Sequence, residues 1–299
     1  MEDHTDISDH RVTSEVHVFS ETEESGELEK TVISKFKFNL PDQLVLGFSN
    51  ASLKSKTDKD GDLDVTRKNQ AEDHVLAIKH HVRTSLDLVG LQVWRGALLL
   101  ADYLLYAATD AVPPEEKITA ESRIVELGAG TGLTSVVAAM VAGKVTSTDI
   151  DLGSILALIE TNCQLNKQYI FGDVSVLELD FNKHYYTEEL QSQIENADLV
   201  IAADVVYHDD LTDAFLKSLK KLMATGKEKT ALIALEKRYV FTISELDSVA
   251  PCFDYFHEKL LQVMAGYRIE AVDTGRIAQY FCYEKVKELV LFRISSQRR

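Results

Sequence analysis

The hydrophobic positions from about residue 75 onward follow two spacings, one typical of buried strands and the other of amphipathic helices. Residues 122–127 and 198–203 are short apolar runs, whereas residues 94–108 repeat apolar side chains at helical spacing. Strand-like and helix-like segments alternate throughout, which predicts a parallel, doubly wound α/β sheet with helices on both faces. The predicted strands are residues 122–127, 144–149, 174–179, 198–203, 230–236, 267–272 and about 288–294, and the predicted helices are residues 94–108, 133–142, 154–166, 211–223 and part of 244–265.

The last two predicted strands, residues 267–272 and 288–294, have no helical pattern between them. Parallel neighbours need a long crossover connection, usually a helix, so this pair is predicted to be antiparallel. We therefore expect an antiparallel last strand at one edge of the sheet.

The first 75 residues have a different pattern. Residues 15–19 and Thr31–Phe38 read as short strands, the second because apolar and polar side chains alternate along it. Residues 21–29 and 49–67 are polar and are predicted to be solvated and partly disordered. The sequence therefore predicts an acidic N-terminal extension over residues 1–75 and one α/β domain over residues 76–299.

The charge balance excludes some partners. The chain has 48 acidic and 32 basic residues, a net charge of −16, and residues 1–75 contribute half of this excess. Direct grip on nucleic-acid phosphates needs an excess of Lys and Arg, so nucleic-acid binding is not expected. A basic partner suits this charge better, and we expect the extension to attract such a partner while cofactor binding does not depend on it.

Three cysteines, Cys163, Cys252 and Cys282, lie far apart without CxxC spacing, so a structural metal site is not expected. We expect them to be reduced thiols in an intracellular compartment. The apolar segment 96–108 is too short to span a membrane and contains Asp102. The acidic start of the chain lacks the pattern of a secretory signal.

The strongest chemical signal is the run Glu126-Leu127-Gly128-Ala129-Gly130-Thr131-Gly132, which follows a predicted strand and opens a predicted helix. Glycines let the backbone turn tightly and approach a ligand, and the first amides of the helix are unpaired donors. Dinucleotide enzymes need a further glycine at position 133, where this chain has Leu133. The ExGxGxG spacing instead resembles the first motif of class I S-adenosylmethionine-dependent methyltransferases.

Asp149 ends the next predicted strand, about 20 residues after the glycine-rich turn. An acidic residue at this distance is typical of a ribose-binding side chain beside such a turn. The alternative is that Asp149 caps the following helix, a position for which Asp151 competes.

Asp204 and Tyr207 follow the predicted strand that ends at Ala203. Ligands of doubly wound sheets bind beyond the carboxyl ends of the strands, so we expect Asp204 to face the cleft. This D-x-x-Y segment resembles the motif of the seven-β-strand protein lysine methyltransferases, methyltransferase family 16. The alternative is a helix cap at Asp204 and a core tyrosine at Tyr207.

Further segments are similar to the same family over about residues 60–295. Trp94 lies in a segment that lines the cofactor site in that family, and Phe181 stands where the family has a tryptophan near the adenine. Asn162 and Asn166 match a pair that we interpret as structural. The run Glu236-Lys237-Arg238 matches an E-x-R motif, although a solvated charged run has the same pattern.

The resemblance implies a seven-stranded Rossmann-like fold, S-adenosylmethionine as cofactor and protein lysine N-methylation. It further implies a nuclear enzyme, with the cytoplasm as a second location, that acts as a monomer on a lysine-bearing segment of a DNA/RNA-binding protein. Another substrate, such as a small molecule or an arginine, and an inactive scaffold are the alternatives. The implied catalytic residues are Asp204 and Tyr207, and the implied cofactor-binding residues are Trp94, Glu126, Gly128, Ala129, Gly130, Gly132, Asp149, Phe181 and Ala203.

Overall fold

A computed structural model of the protein describes residues 11–16, 31–44, 74–183, 185–242 and 247–296. The strands of this part of the chain are β1 (Arg11–Thr13), β2 (Thr31–Phe38), β3 (His74–His81), β4 (Arg83–Ser85), β5 (Arg123–Leu127), β6 (Lys144–Asp149), β7 (Asp173–Glu178), β8 (Leu199–Ala203), β9 (Thr230–Glu236), β10 (Val240–Thr242), β11 (Asp247–Val249), β12 (Tyr267–Val272) and β13 (Leu289–Ser296). The α-helices are α1 (Arg95–Ala107), α2 (Leu133–Val141), α3 (Ile155–Leu165), α4 (Glu188–Asn196), α5 (Asp209–Ala224) and α6 (Pro251–Val263).

Seven of the described strands form one mixed sheet in the order β12-β13-β9-β8-β5-β6-β7. The five strands from β9 to β7 are parallel, as the alternation of strands and helices predicted. The last strand, β13, is antiparallel to both of its neighbours, β9 and β12, which confirms its predicted direction. It lies between these strands, and β12 forms the edge.

Helices cover both faces of the sheet. One face packs against α1 and α2, in a core that includes Leu98, Leu104 and Val137. The other face packs against α4, α5 and α6, around Phe215 and Phe256. The parallel strands carry apolar side chains toward both layers, which is why they read as continuous hydrophobic runs in the sequence. The doubly wound architecture is therefore confirmed.

The sequence pattern did not predict α4. This helix buries only Leu190 and Ile194, too few apolar positions to stand out as a helical period. Its start is marked by Thr187, whose hydroxyl accepts a hydrogen bond from the backbone of Leu190. In contrast, α6 begins at Pro251, several residues after the predicted segment begins, because proline favours the first turn of a helix.

Strand β2 belongs to the same core as the sheet, although the predicted domain division near residue 75 placed it in an extension. It pairs with β3 along its whole length, so a division at residue 75 falls inside one strand pair. Phe36 and Phe38 are buried, and the ring of Phe38 stacks on Phe281 at a centroid distance of 5.0 Å. Buried aromatic contacts thus fasten this segment to the fold.

The predicted strand at residues 15–19 lies largely outside the described part of the chain, because residues 17–19 are not in it, and residues 15 and 16 are not in a strand. The structure has a strand just before them, β1 at Arg11–Thr13. The polar stretches 21–29 and 49–67, predicted to be solvated, also lie outside it. Strand β1 pairs antiparallel with β4, which connects the beginning of the described chain to the residues just before α1.

Asn162 and Asn166 on α3 are buried and bind the backbone of β3, which confirms their structural interpretation. The Asn162 amide accepts from Lys79 N at 2.7 Å and donates to Lys79 O at 2.9 Å. Asn166 makes the same pair of hydrogen bonds with Ala77, at 2.9 and 2.8 Å. The two side chains therefore complete the hydrogen bonds of a strand edge that would otherwise be unpaired.

The stretch Leu86–Ala107 is long and apolar enough to cross a membrane by composition alone. However, 72% of its most apolar window is buried inside the fold. We interpret it as core structure, because its second half, α1, packs against the sheet and α2.

Candidate active site

A cleft of about 990 Å³, including its open mouth, lies at the carboxyl ends of β5, β6 and β8. The structure brings ten of the eleven predicted site residues to its wall: Trp94, Glu126, Gly128, Ala129, Gly130, Asp149, Phe181, Ala203, Asp204 and Tyr207. The eleventh, Gly132, lies at the start of α2.

The glycine-rich turn leaves β5 and crosses the floor of the cleft. Gly130 has a φ of +58°, in the left-handed region that favours glycine. A Cβ at this position would lie 2.8 Å from Gly90 O, so the turn is also packed against a second backbone segment. The glycine therefore permits both the turn and the close approach of residues that line the opposite wall.

Gly132 does not line the cleft. It is the residue before α2, and a Cβ there would lie 2.9 Å from the side chain of Ile159 on α3. The third glycine of the motif therefore permits the close packing of two helices and does not contact the cleft.

Asp149 connects β6 to the glycine-rich turn. One carboxylate oxygen accepts from Gly130 N at 2.7 Å and the other accepts from Ile150 N at 2.8 Å. The following helix, α3, starts after Ser154 without a side-chain cap, so Asp149 does not cap it. Burial raises the pKa of Asp149 to about 6, and the two amide hydrogen bonds oppose this shift.

Glu126 lies beneath the cleft and is 1% exposed. The hydroxyl of Ser135, on α2, donates a hydrogen bond to its carboxyl group. Burial raises the pKa of Glu126 to about 8, and the nearby charge of Asp149 adds to the shift. The uncharged carboxylic acid therefore predominates at neutral pH.

Asp204 follows β8 and lines the cleft, but its carboxylate is largely enclosed, with a side-chain exposure of 4%. Its oxygens accept from Gly96 N at 2.6 Å and from Glu236 N at 3.1 Å. The guanidinium of Arg238 lies 3.8 Å away. Asp204 thus holds together the start of α1, the end of β8 and the end of β9.

Tyr207 is half-buried beside the cleft. Burial, together with the negative charges of Asp149 and Asp87, raises the pKa of its hydroxyl to about 12. The hydroxyl is therefore protonated at physiological pH and can both donate and accept a hydrogen bond.

Two aromatic side chains form walls of the cleft. The indole N–H of Trp94 donates to Val89 O at 2.9 Å, and the guanidinium of Arg238 lies 4.5 Å from the centre of its ring. Phe181 packs edge-on against Phe215 at a centroid distance of 5.5 Å and lies near Gly128. Both rings therefore have fixed orientations before any ligand binds.

Sequence reasoning missed one wall of the cleft, the 3-10 turn Leu86–Leu91 with Gln92. It also missed Ile150 and Asn182, which follow β6 and β7. The turn has neither a strand nor a helix period. Its position directly before the Trp94 segment was the signal that could have indicated it.

The cleft fits the cofactor that the sequence motif implies. The turn at Gly130 leaves no room for a side chain, Leu179 and Phe181 supply apolar surface, and Asp149 offers a carboxylate at the rim. This combination of close backbone approach, apolar walls and one acceptor group is suited to an adenosine-containing ligand.

Comparison with known proteins gives consistent matches. A family model described as lysine methyltransferase matches residues 70–248. Methyltransferase-like protein 22 of Mus musculus is 34% identical over 74% of this chain and 59% of its own length, and that of Homo sapiens is 32% identical over 81% of this chain and 71% of its own. Protein N-lysine methyltransferase METTL21A of Danio rerio is 28% identical over 58% of this chain and 75% of its own.

The chain thus spans about three fifths of the mouse relative, while the family match covers β3 through β10 and the entire glycine-rich turn. The matched region contains every residue that was predicted to line the site. We conclude from these matches that the chain belongs to the lysine methyltransferase family.

Proposed function

We propose that this protein is an S-adenosylmethionine-dependent protein lysine N-methyltransferase. One observation carries the proposal. The glycine-rich turn, bound through Gly130 N to Asp149, shares a single cleft with Trp94, Asp204 and Tyr207. A cofactor held at the turn is therefore adjacent to the residues that would receive a substrate side chain.

The cofactor-binding half of the cleft is the side of β5 and β6. Asp149 would accept hydrogen bonds from the ribose hydroxyls, Phe181 would pack against the adenine, and the backbone around Gly128 would pass beside the cofactor. Bound S-adenosylmethionine supplies an electrophilic methyl group to the adjacent half of the cleft.

The substrate half of the cleft must present an uncharged lysine amine, although the pKa of a free lysine is about 10.4. Apolar walls disfavour the charged ammonium and lower this pKa. The protonated Tyr207 hydroxyl can accept a hydrogen bond from the amine and orient its lone pair. Correct alignment of the amine and the methyl carbon supplies much of the rate enhancement in such a displacement.

Asp204 contributes mainly by holding the backbone around the site in place. Its oxygens already accept hydrogen bonds from two backbone amides. We propose that Asp204 holds the start of α1 against the ends of β8 and β9, and that it thereby also positions Trp94. A negative charge next to the amine site also favours the approach of a cationic side chain.

For the substrate, we propose a lysine in a basic segment of a DNA/RNA-binding protein in the nucleus, met by a monomeric enzyme. The net charge of −16 supports a basic partner, and nucleic-acid-binding proteins carry such segments. The named relatives that are protein lysine methyltransferases support the residue type.

The test is incubation of the purified protein with methyl-labelled S-adenosylmethionine and a nuclear extract, followed by mass spectrometry of labelled proteins. We expect label on lysine in a basic protein, loss of label with Asp149→Ala, and retention with Asp151→Ala, an exposed neighbour. Label on arginine or on small molecules would contradict the substrate, and no label in any extract would contradict the activity.

A further inference from the structure

The segment formed by β1 and Ser14, here called the N-terminal strap (residues 11–14), packs on the wall of the cleft that sequence reasoning missed. Strand β1 pairs with β4, directly before the turn Leu86–Leu91. Ser14 is buried beside Gln92, 78 residues further along the chain. We infer that the strap positions this wall and thereby sets the affinity for S-adenosylmethionine.

Gln92 is the link between strap and wall. Gln92 is 2% exposed, and its side-chain amide forms hydrogen bonds with the strap through both its oxygen and its nitrogen. The amide oxygen accepts from Ser14 N at 2.6 Å, and the amide nitrogen donates to Val12 O at 3.0 Å. The same nitrogen donates to Thr84 Oγ1 at 2.7 Å.

Ser14 adds a second connection. Its hydroxyl donates to the carbonyl of Val93, the residue between Gln92 and Trp94. Glu15 follows and pairs with Arg95 at 2.5 Å, although this pair is partly exposed and contributes less. The strap is therefore bonded to Gln92 and Val93, and the residue that follows it, Glu15, is bonded to Arg95.

The turn held in this way reaches the cofactor side of the cleft. Val89 O fixes the Trp94 indole, and Gly90 lies against Gly130 of the glycine-rich turn. Without the strap, the buried amide of Gln92 would lack two partners, which is costly inside a protein. The wall would then rearrange to satisfy that amide, and the cleft would lose its preformed shape.

This inference replaces the expectation that cofactor binding is independent of the N-terminal region. It rests on the proposed function only in assuming that the cleft binds S-adenosylmethionine. It does not depend on which substrate receives the methyl group or where that substrate binds. The strap is a positioning element, because it contacts the wall of the cleft and affects the ligand only through that wall.

The experiment measures S-adenosylmethionine binding by calorimetry in the full chain, in Ser14→Ala and in a chain that lacks residues 1–16. Thr13→Ala is the matched control, since its hydroxyl accepts only an exposed hydrogen bond from Arg83 at 3.3 Å among the described contacts. We expect Ser14→Ala to weaken binding about three- to ten-fold. The truncated chain should lose more of its affinity for S-adenosylmethionine, and the dissociation constant of Thr13→Ala should match that of the wild type within about two-fold.

A second measurement separates positioning from a general loss of stability. Hydrogen exchange in the folded, ligand-free protein should show faster exchange at residues 89–93 in Ser14→Ala, while β5 and β6 keep wild-type protection. An unchanged dissociation constant in Ser14→Ala, whether or not the truncated chain folds, would overturn the inference. A wild-type chain that does not bind S-adenosylmethionine would overturn the proposed function as well.

Discussion

Single residues at this site have one of two roles: some line the cleft, and others hold the surrounding helices in place. Gly130 and Asp149 shape the cleft directly, whereas Gly132 and Asn162 hold the helices beneath it. The motif spacing predicted the first kind correctly, because a turn after a buried strand has few conformations. It could not separate Gly132 from the others, because contact with Ile159 depends on how α3 packs.

Asp149 gives the most direct prediction at this scale. Asp149→Ala should weaken S-adenosylmethionine binding by about 1–3 kcal/mol, because the Gly130 amide and the ribose lose a shared acceptor. Calorimetry checks this, with Asp151→Ala as the control. Equal affinities in the two variants would mean that the ribose is held elsewhere.

Glu126 predicts a pH dependence of folding. Its pKa is about 8 in the folded protein against about 4.3 in an unfolded chain, so the folded state binds the additional proton between these values. The stability of the ligand-free protein should therefore fall as pH rises from about 4.5 to 8, and Glu126→Gln should remove on the order of 5 kcal/mol of this fall.

Urea unfolding at several pH values measures this difference. Glu115→Gln is the control, because Glu115 is an exposed carboxylate. The assignment to Glu126 fails if Glu126→Gln keeps the same pH slope as the wild type and Glu115→Gln.

Asp204 and Gly96 form a pair whose loss should stop catalysis without unfolding the protein. Asp204→Ala leaves two backbone amides without their acceptor, at a cost of about 1–3 kcal/mol, and should abolish methylation. Gly96→Ala should have a similar effect, since its Cβ would lie 2.5 Å from the Asp204 carboxylate. Normal turnover in a folded Asp204→Ala protein would remove Asp204 from the site.

Among the elements, those with strong periodicity were predicted and those defined by tertiary contacts were not. The parallel strands are buried on both faces and stand out as apolar runs, so β5, β6 and β8 were located closely. Helix α4 and the turn Leu86–Leu91 are short and half-exposed, and only packing identifies them. The placement of β13 between β9 and β12 also depends on long-range pairing.

The strand pair β2–β3 yields a prediction at the scale of elements. Phe38→Ala should destabilise the protein by about 3–5 kcal/mol, because the ring is 2% exposed and stacks on Phe281. Ile33→Ala on the same strand, where Ile33 is 47% exposed, should change stability little. If Phe38→Ala changed stability as little as Ile33→Ala, β2 would not contribute to the core.

At the scale of the whole molecule, the main feature is an excess of acidic residues. With a net charge of −16, the protein should attract a basic substrate over a range set by the Debye length, about 8 Å at physiological salt. Methylation of a Lys/Arg-rich substrate should therefore slow with added salt, mainly in kcat/KM, while the affinity for the cofactor changes less. If kcat/KM did not change with salt, the net charge would not attract the substrate, and its role would be in solubility alone.

The central claim is that this cleft transfers a methyl group from S-adenosylmethionine to a lysine amine. The most direct measurement is amino-acid analysis of a hydrolysed protein substrate after reaction with methyl-labelled cofactor, for the wild type and for Asp149→Ala. We expect the label to elute as methyl-lysine for the wild type and to be strongly reduced for the variant. Label in methyl-arginine, or equal labelling by both proteins, would contradict it.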